Sequence, residues 1–117
     1  MMRLGETYLL LAEAQFRQGK LADAAASINV LRTRAKAAQV TASDITLNFI
    51  LDERARELIG EEQRRITLVR TGTLVERTLR LNGASVTGLT ANNLLLPIPQ
   101  SEIDRNINGT LRQNTGY

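Results

Sequence analysis

Apolar and polar residues follow each other along this chain with the period of a helix, and the rhythm is clearest at the start. From Leu4 to Arg17, Leu4, Tyr8, Leu11 and Ala12 fall on one stripe, and Leu9, Leu10 and Ala14 widen it. So wide a stripe predicts a helix packed on more than one side. Glu13 and Arg17 stand four apart in the favourable order for an intrahelical ion pair. Gly19-Lys20 ends the run, glycine being suited to a left-handed C-terminal cap. A second helix is predicted from about Leu21 to Ala38, with Leu21, Ala24, Ala25, Ile28, Leu31 and Ala35 on its buried face. The small Ala24 and Ala25 allow a close approach to the first helix. Arg32, Arg34 and Lys36 sit in the last turns, where cations suit the helix dipole.

Beyond this hairpin the elements shorten. Thr41-Ala42-Ser43-Asp44 supplies candidate N-caps, and a helix from about Thr46 to Ile59 buries Leu47, Ile50, Leu51, Ala55 and Leu58. Gly60 interrupts it. A shorter helix is expected from Glu61 or Glu62 to Arg70, ended by Thr71-Gly72. Another covers Leu74 to Leu81, before the Asn82-Gly83 turn signal. Ala84 to Asn93 reads as a loop. Leu94 to Pro99 must be extended, because each proline restricts itself and the residue before it. Gln100 to Asp104 is a single helical turn. The end, Asn106 to Tyr117, has no periodicity, and such a tail is ordered only where something holds it down. The fold class is all-α, in one domain over 1–117. It has a helical hairpin over 4–38, further helices over 44–81, and a loop with an extended, mostly irregular tail over 82–117.

Composition narrows the chemistry. The 117 residues are 43% hydrophobic and 23% charged, as in a globular protein. Aromatics are 3% of the chain (Tyr8, Phe16, Phe49 and Tyr117, with no Trp), so a sugar- or base-stacking platform is short of material. The formal charge is +3, and every basic residue except Lys20 and Lys36 is Arg. The positive charges are interleaved with acids, and no block of the kind that tracks a phosphate backbone is present, which argues against nucleic acid. With no Cys and no His, thiol catalysis, imidazole acid–base chemistry and the usual zinc sites are removed together. No apolar run approaches the roughly 20 residues that span a bilayer. The start shows no apolar signal core.

Two constellations carry information. The hairpin fits the tetratricopeptide pattern, except that Gln15 stands where an aromatic is usual and no Pro closes the unit. Tyr8 takes the aromatic position, Leu11-Ala12 the Leu-Gly pair, Gly19 the turn, Ala24 the close contact and Ile28 the bulky residue of the second helix. Only one such unit is visible, although repeats normally stack to bury their faces. The second constellation is Glu53-Arg54-Ala55-Arg56-Glu57 with Glu61, Glu62, Arg64, Arg65 and Arg70. Glu53, Glu57 and Glu61 recur every four residues, so the first two share a helical face. They could be a glycosidase pair or hard-metal ligands. The nearby arginines favour a third reading, ion pairs that lock short helices together. Hydrolytic carboxylates must face each other across a substrate rather than stack along one helix. No catalytic residue, metal ligand or cofactor site is assigned, and the ligand-contacting residues are unknown. Asn108-Gly109-Thr110 matches a glycosylation triplet but reads better as a turn.

Taken in order, these segments resemble the C-terminal part of the RagB/SusD family. The resemblance runs through Arg3–Ala14, Ala24–Ala35, Ile50–Leu58, Arg64, Leu68–Gly72, Leu96–Asp104 and Gln113-Asn114-Thr115-Gly116-Tyr117. It departs from the family pattern at Glu62, Arg65-Ile66 and Thr67. It implies a surface-exposed outer-membrane lipoprotein of Bacteroidetes-type bacteria. Such a protein binds an oligosaccharide or peptide nutrient and works with a TonB-dependent (SusC/RagA-like) transporter. It also implies sister repeats upstream, so that these residues are part of a longer chain whose lipid anchor lies outside them. Glycan in this family is held largely by aromatic residues outside the matched segments, so the chain is expected to be scaffold rather than enzyme. Expressed alone, it is expected to self-associate through faces made for missing helices. The alternative is a free-standing tetratricopeptide adaptor that grips a partner peptide.

Overall fold

The computed structural model describes residues 3–107 and 109–117. Among the described residues the α-helices are α1 (Leu4–Arg17), α2 (Leu21–Arg34), α3 (Leu47–Glu57), α4 (Arg64–Arg70), α5 (Leu74–Asn82) and α6 (Gln100–Arg105). Short 3-10 turns lie at Ala42–Asp44, Gly83–Ser85 and Ala91–Leu94. There is no strand among the described residues, and none of their helices is long and apolar enough to cross a membrane. The chain divides into two compact units, Met1–Gln63 and Arg64–Tyr117. The triplet read as a turn at Asn108-Gly109-Thr110 falls, at Asn108, outside the described residues.

In the first unit, α1 packs along α2 and α3 packs on α1. The expected left-handed cap is present. Gly19 has φ 74°, and its N–H and that of Lys20 bond the carbonyls of Phe16 and Gln15, at 2.9 Å each. These bonds satisfy carbonyls that a helix end leaves free. One core cluster joins Ala12, Ala24, Ala25, Ile28, Ile45 and Ile50; a second joins Leu9, Leu31 and Leu58, with Tyr8 against it. The alanines at the crossing are what bring α1 and α2 close. The Glu13–Arg17 pair forms at 3.0 Å.

The buried face of α1 is rotated from the expected stripe. Gly5, Leu9, Ala12 and Glu13 are buried, whereas Leu4 and Leu11 are 71% and 45% exposed. The pattern alone could not show which side of a broad apolar band meets α2 and α3. On α3, Ala55 is exposed while Glu53 and Arg54 are buried. Helix α2 ends at Arg34 rather than continuing to Ala38. Lys36, at φ 55°, takes the position a glycine usually fills. Its N–H bonds the Thr33 carbonyl and that of Ala37 bonds the Arg32 carbonyl, the same cap as at Gly19. Glu61 and Glu62 do not open a helix, because their N–H groups both turn back onto the Leu58 carbonyl; α4 begins at Arg64.

In the second unit, α4 packs on α5, and α5 on the 3-10 turns that follow it. Leu95–Pro99 lies outside any helix, as its prolines require, with Leu95 extended at φ −99° and ψ 163°; Leu94, expected to open the extended segment, instead closes the 3-10 turn Ala91–Leu94. Residues 113–117 of the aperiodic tail have a definite anchor. Between Pro97 and Pro99 the only backbone donor is Ile98, and the Gln113 side chain serves both of its backbone groups. The Ile98 N–H donates to Gln113 Oε1 and Gln113 Nε2 donates to the Ile98 carbonyl, each at 2.8 Å. Asn114 Nδ2 donates to the Leu96 carbonyl at 2.7 Å, and the Tyr117 hydroxyl to that of Leu95 at 3.1 Å. Gly116 has φ 97°, and a Cβ there would lie 2.5 Å from Asn92 Nδ2.

Candidate functional site

The acidic-basic segment around α3 is the densest concentration of chemistry in the first unit. Thr46 starts the helix by accepting the Phe49 N–H at 3.1 Å, a side-chain N-cap. Glu53 and Glu57 then fall one turn apart, and each is turned onto its own arginines. Glu53 Oε2 accepts from Arg32 at 2.9 Å and from Arg56 at 2.6 Å. Glu57 Oε1 accepts from Arg3 at 2.6 Å and from Arg34. Arg3 also reaches Glu61.

Arg54 is 2% exposed. Its guanidinium donates to Glu62 at 2.6 Å and to Glu6 at 3.3 Å. Removing a buried partner of this kind leaves an uncompensated charge, which is why such pairs are intolerant of loss. The ion pairs therefore tie α3 to α2 and to the start of α1. Arg65 is engaged in the second unit, where it donates to the carbonyls of Asn93 and Leu95.

Arg32 was placed by the sequence at the helix dipole, but its Nε also holds the Ala38 carbonyl. Arg32 and Arg56 each lie 5.9 Å from the centroid of the Phe49 ring, within cation–π range. An open cleft of about 450 Å³ lies beside this ring, with Leu31, Ala35 and Ala37 as its apolar wall. Its polar side chains, Arg32, Glu53, Arg56 and Glu57, are the ones already bonded to one another or to Arg3 and Arg34. Among the described residues no group of three or more acidic side chains is placed to hold a metal ion. The sequence could not reveal the buried status of Arg54 and Glu53, since it arises from pairing partners as far as 48 positions away.

Fold and site together define an all-helical, tetratricopeptide-like scaffold cross-braced by arginine–glutamate pairs. The SusD family profile matches residues 1–117, and the chain belongs to that family. Starch-binding protein SusD of Bacteroides thetaiotaomicron is 39% identical to it over 124 aligned residues, which take in 100% of this chain and 21% of that protein. In three dimensions the chain resembles surface glycan-binding protein A from Bacteroides thetaiotaomicron, with a TM-score of 0.74 and 34% identity. That match covers 95% of this chain and 23% of the other. The chain thus spans about a fifth of the length of the relatives it matches.

Proposed function

We propose that this chain forms the scaffold of the C-terminal part of a surface glycan-binding protein that works with a TonB-dependent outer-membrane transporter. The observation that carries this reading is the alignment of its whole length with a protein named for starch binding. The geometry agrees with a scaffold role. The carboxylates of α3 are committed to arginines, and the cleft beside Phe49 offers one aromatic ring whose polar neighbours are occupied. Glycan contacts then lie outside these residues. The chain has no catalytic role in this reading.

The test has two parts. In intact cells, antibody against this chain should label the surface, and a TonB-dependent transporter should co-purify with it; a soluble chain without a transporter would sink the proposal. In calorimetry, the isolated chain should give no saturable heat with malto-oligosaccharides at about 1 mM, an affinity worth only about 4 kcal/mol. Saturable binding there would move the glycan site into these residues.

A further inference from the structure

The tail of the second unit is fastened to Leu95–Ile98 by side chains acting on backbone. Gln113, Asn114 and Tyr117 bond backbone groups of Ile98, Leu96 and Leu95. Among the described residues no backbone–backbone hydrogen bond joins the two segments, and none of residues 113–117 is buried. The strap has neither a ladder nor an apolar anchor, so it belongs to the low-stability end of the fold, where segments open locally. In the first unit the same two-bond pairing is fixed. Asn29 serves the Val40 carbonyl and N–H at 2.8 and 2.9 Å, but Asn29 stands on α2 and Val40 packs on the core.

The seat of the strap is nevertheless selective. Pro97 and Pro99 leave Ile98 as an isolated rung, one N–H and one carbonyl. A primary carboxamide fits it, because it donates and accepts along one edge. A carboxylate lacks the donor, and a trans peptide group carries its N–H and C=O on opposite edges. The Asn114 amide meets Leu96 and the Tyr117 hydroxyl meets Leu95, while a Cβ at Gly116 would sit 2.5 Å from Asn92 Nδ2. Thr115 is exposed. The segment that the seat reads is thus Gln-Asn-x-Gly-Tyr, and here it carries no charge. What matches the seat when the strap lifts is the same segment on another copy, since exchange of an identical element is a low-cost route to a dimer.

We propose that Gln113–Tyr117 is a detachable strap whose seat on Leu95–Ile98 accepts the same segment from a second copy of this chain. Residues 99–112 tether the strap in cis, at an effective concentration on the order of 1 mM. A dilute chain is therefore closed, and exchange sets in near that concentration. The readout is hydrogen exchange at the Ile98 amide of a dilute, isotope-labelled Gln113→Ala chain, where it should run about tenfold faster than in wild type. Tenfold protection through such a tether corresponds to a Kd of about 0.1 mM for the free segment. The end-blocked peptide Gln-Asn-Thr-Gly-Tyr should restore half of the lost protection near that concentration, independently of salt, whereas a peptide beginning with Glu should not. Unlabelled wild-type chain should do the same near about 1 mM, because its own strap competes. In both chains Leu4→Glu and Leu11→Glu replace exposed side chains of α1, so that association through that face does not intervene. Circular dichroism checks helix content, and Asn114→Ala stands in if Gln113→Ala loses it. Unchanged Ile98 exchange in the variant, no rescue by the Gln peptide, equal rescue by both peptides, or rescue by the peptide but not by the wild-type chain would each overturn the proposal.

Discussion

Gly5 is the second residue of α1, where glycine costs at most the ~1 kcal/mol relative to alanine of a helix interior, and the reason for it is Glu57. A Cβ at this position would lie 2.6 Å from Glu57 Oε1 and 3.3 Å from its Cγ and Cδ. The missing side chain is the space in which the carboxylate meets Arg3 and Arg34. Gly5→Ala should therefore be neutral to destabilising, by up to about 1 kcal/mol, where Glu57 is present, since partly exposed ion pairs are each worth at most that much. In a Glu57→Ala background the same substitution should stabilise, by up to about 1 kcal/mol, because helix propensity is then the main effect left. Denaturant midpoints of the four proteins give the coupling, and an identical effect of Gly5→Ala in both backgrounds would show that the carboxylate is not the cause. Nothing in the sequence distinguishes Gly5 from an idle helix glycine, because its partner is 52 positions away.

At the scale of elements, what local chemistry decides was legible and what distant side chains decide was not. The spacing of leucines and the Gly19 cap mark α1, and Thr46 and the two prolines place α3 and the extended segment. The end of α2 was missed because Lys36 fills a left-handed cap without the glycine that would announce it. The irregular tail was legible but its anchor was not, because Gln113 and Asn114 act on backbone 15 and 18 residues away, which no periodicity reports. Of the candidate site, the pairing of Glu53 and Glu57 with arginines was readable, but not which arginines.

The turn before α3 was read only as cap material. It is closed by Asp44, whose carboxylate accepts from the N–H and the hydroxyl of Thr41 at 2.7 and 2.8 Å. These two bonds, the backbone one first, hold its pKa below the ordinary 3.8. A depressed carboxylate stabilises the fold above its unfolded pKa, and that stability goes as pH falls through the lower folded value. The Thr41 amide resonance should therefore titrate with a midpoint below 3.8 and stop titrating in Asp44→Asn. A midpoint at or above the ordinary value would contradict the closed turn. For the tail, Gln113→Glu replaces a donor with an acceptor facing the Ile98 carbonyl. Losing a partly buried hydrogen bond and adding repulsion should cost about 1–3 kcal/mol locally, so Ile98 amide exchange should accelerate about tenfold or more. Unchanged protection would mean that something else anchors the tail.

Across the whole chain, the two units differ in charge. Residues 1–63 hold eight basic and nine acidic side chains, and residues 64–117 hold seven and three. The first unit nevertheless leaves an apolar surface of its own, since Leu4, Thr7, Leu11 and Ala14 are all exposed at helical spacing on α1. In a protein of the relatives' length other helices are available to cover such a stripe; in the isolated chain another copy is the available cover. Light scattering should show mass rising with concentration for the isolated chain, and Leu4→Glu with Leu11→Glu should hold it monomeric. A wild-type chain that stays monomeric at high concentration would count against an uncovered stripe.

The Gln113 anchor bears on how this chain avoids misassembly. Leu94-Leu95-Leu96 is an uncharged, β-compatible run, and exposed runs of that kind can seed stacking between chains. Growth of a ladder needs free donors along one edge. Pro97 and Pro99 have none, and the remaining N–H between them is already held by the molecule's own amide. From Leu95 on the stretch lies outside any helix, yet along Pro97–Pro99 it gives a neighbouring chain no register to copy.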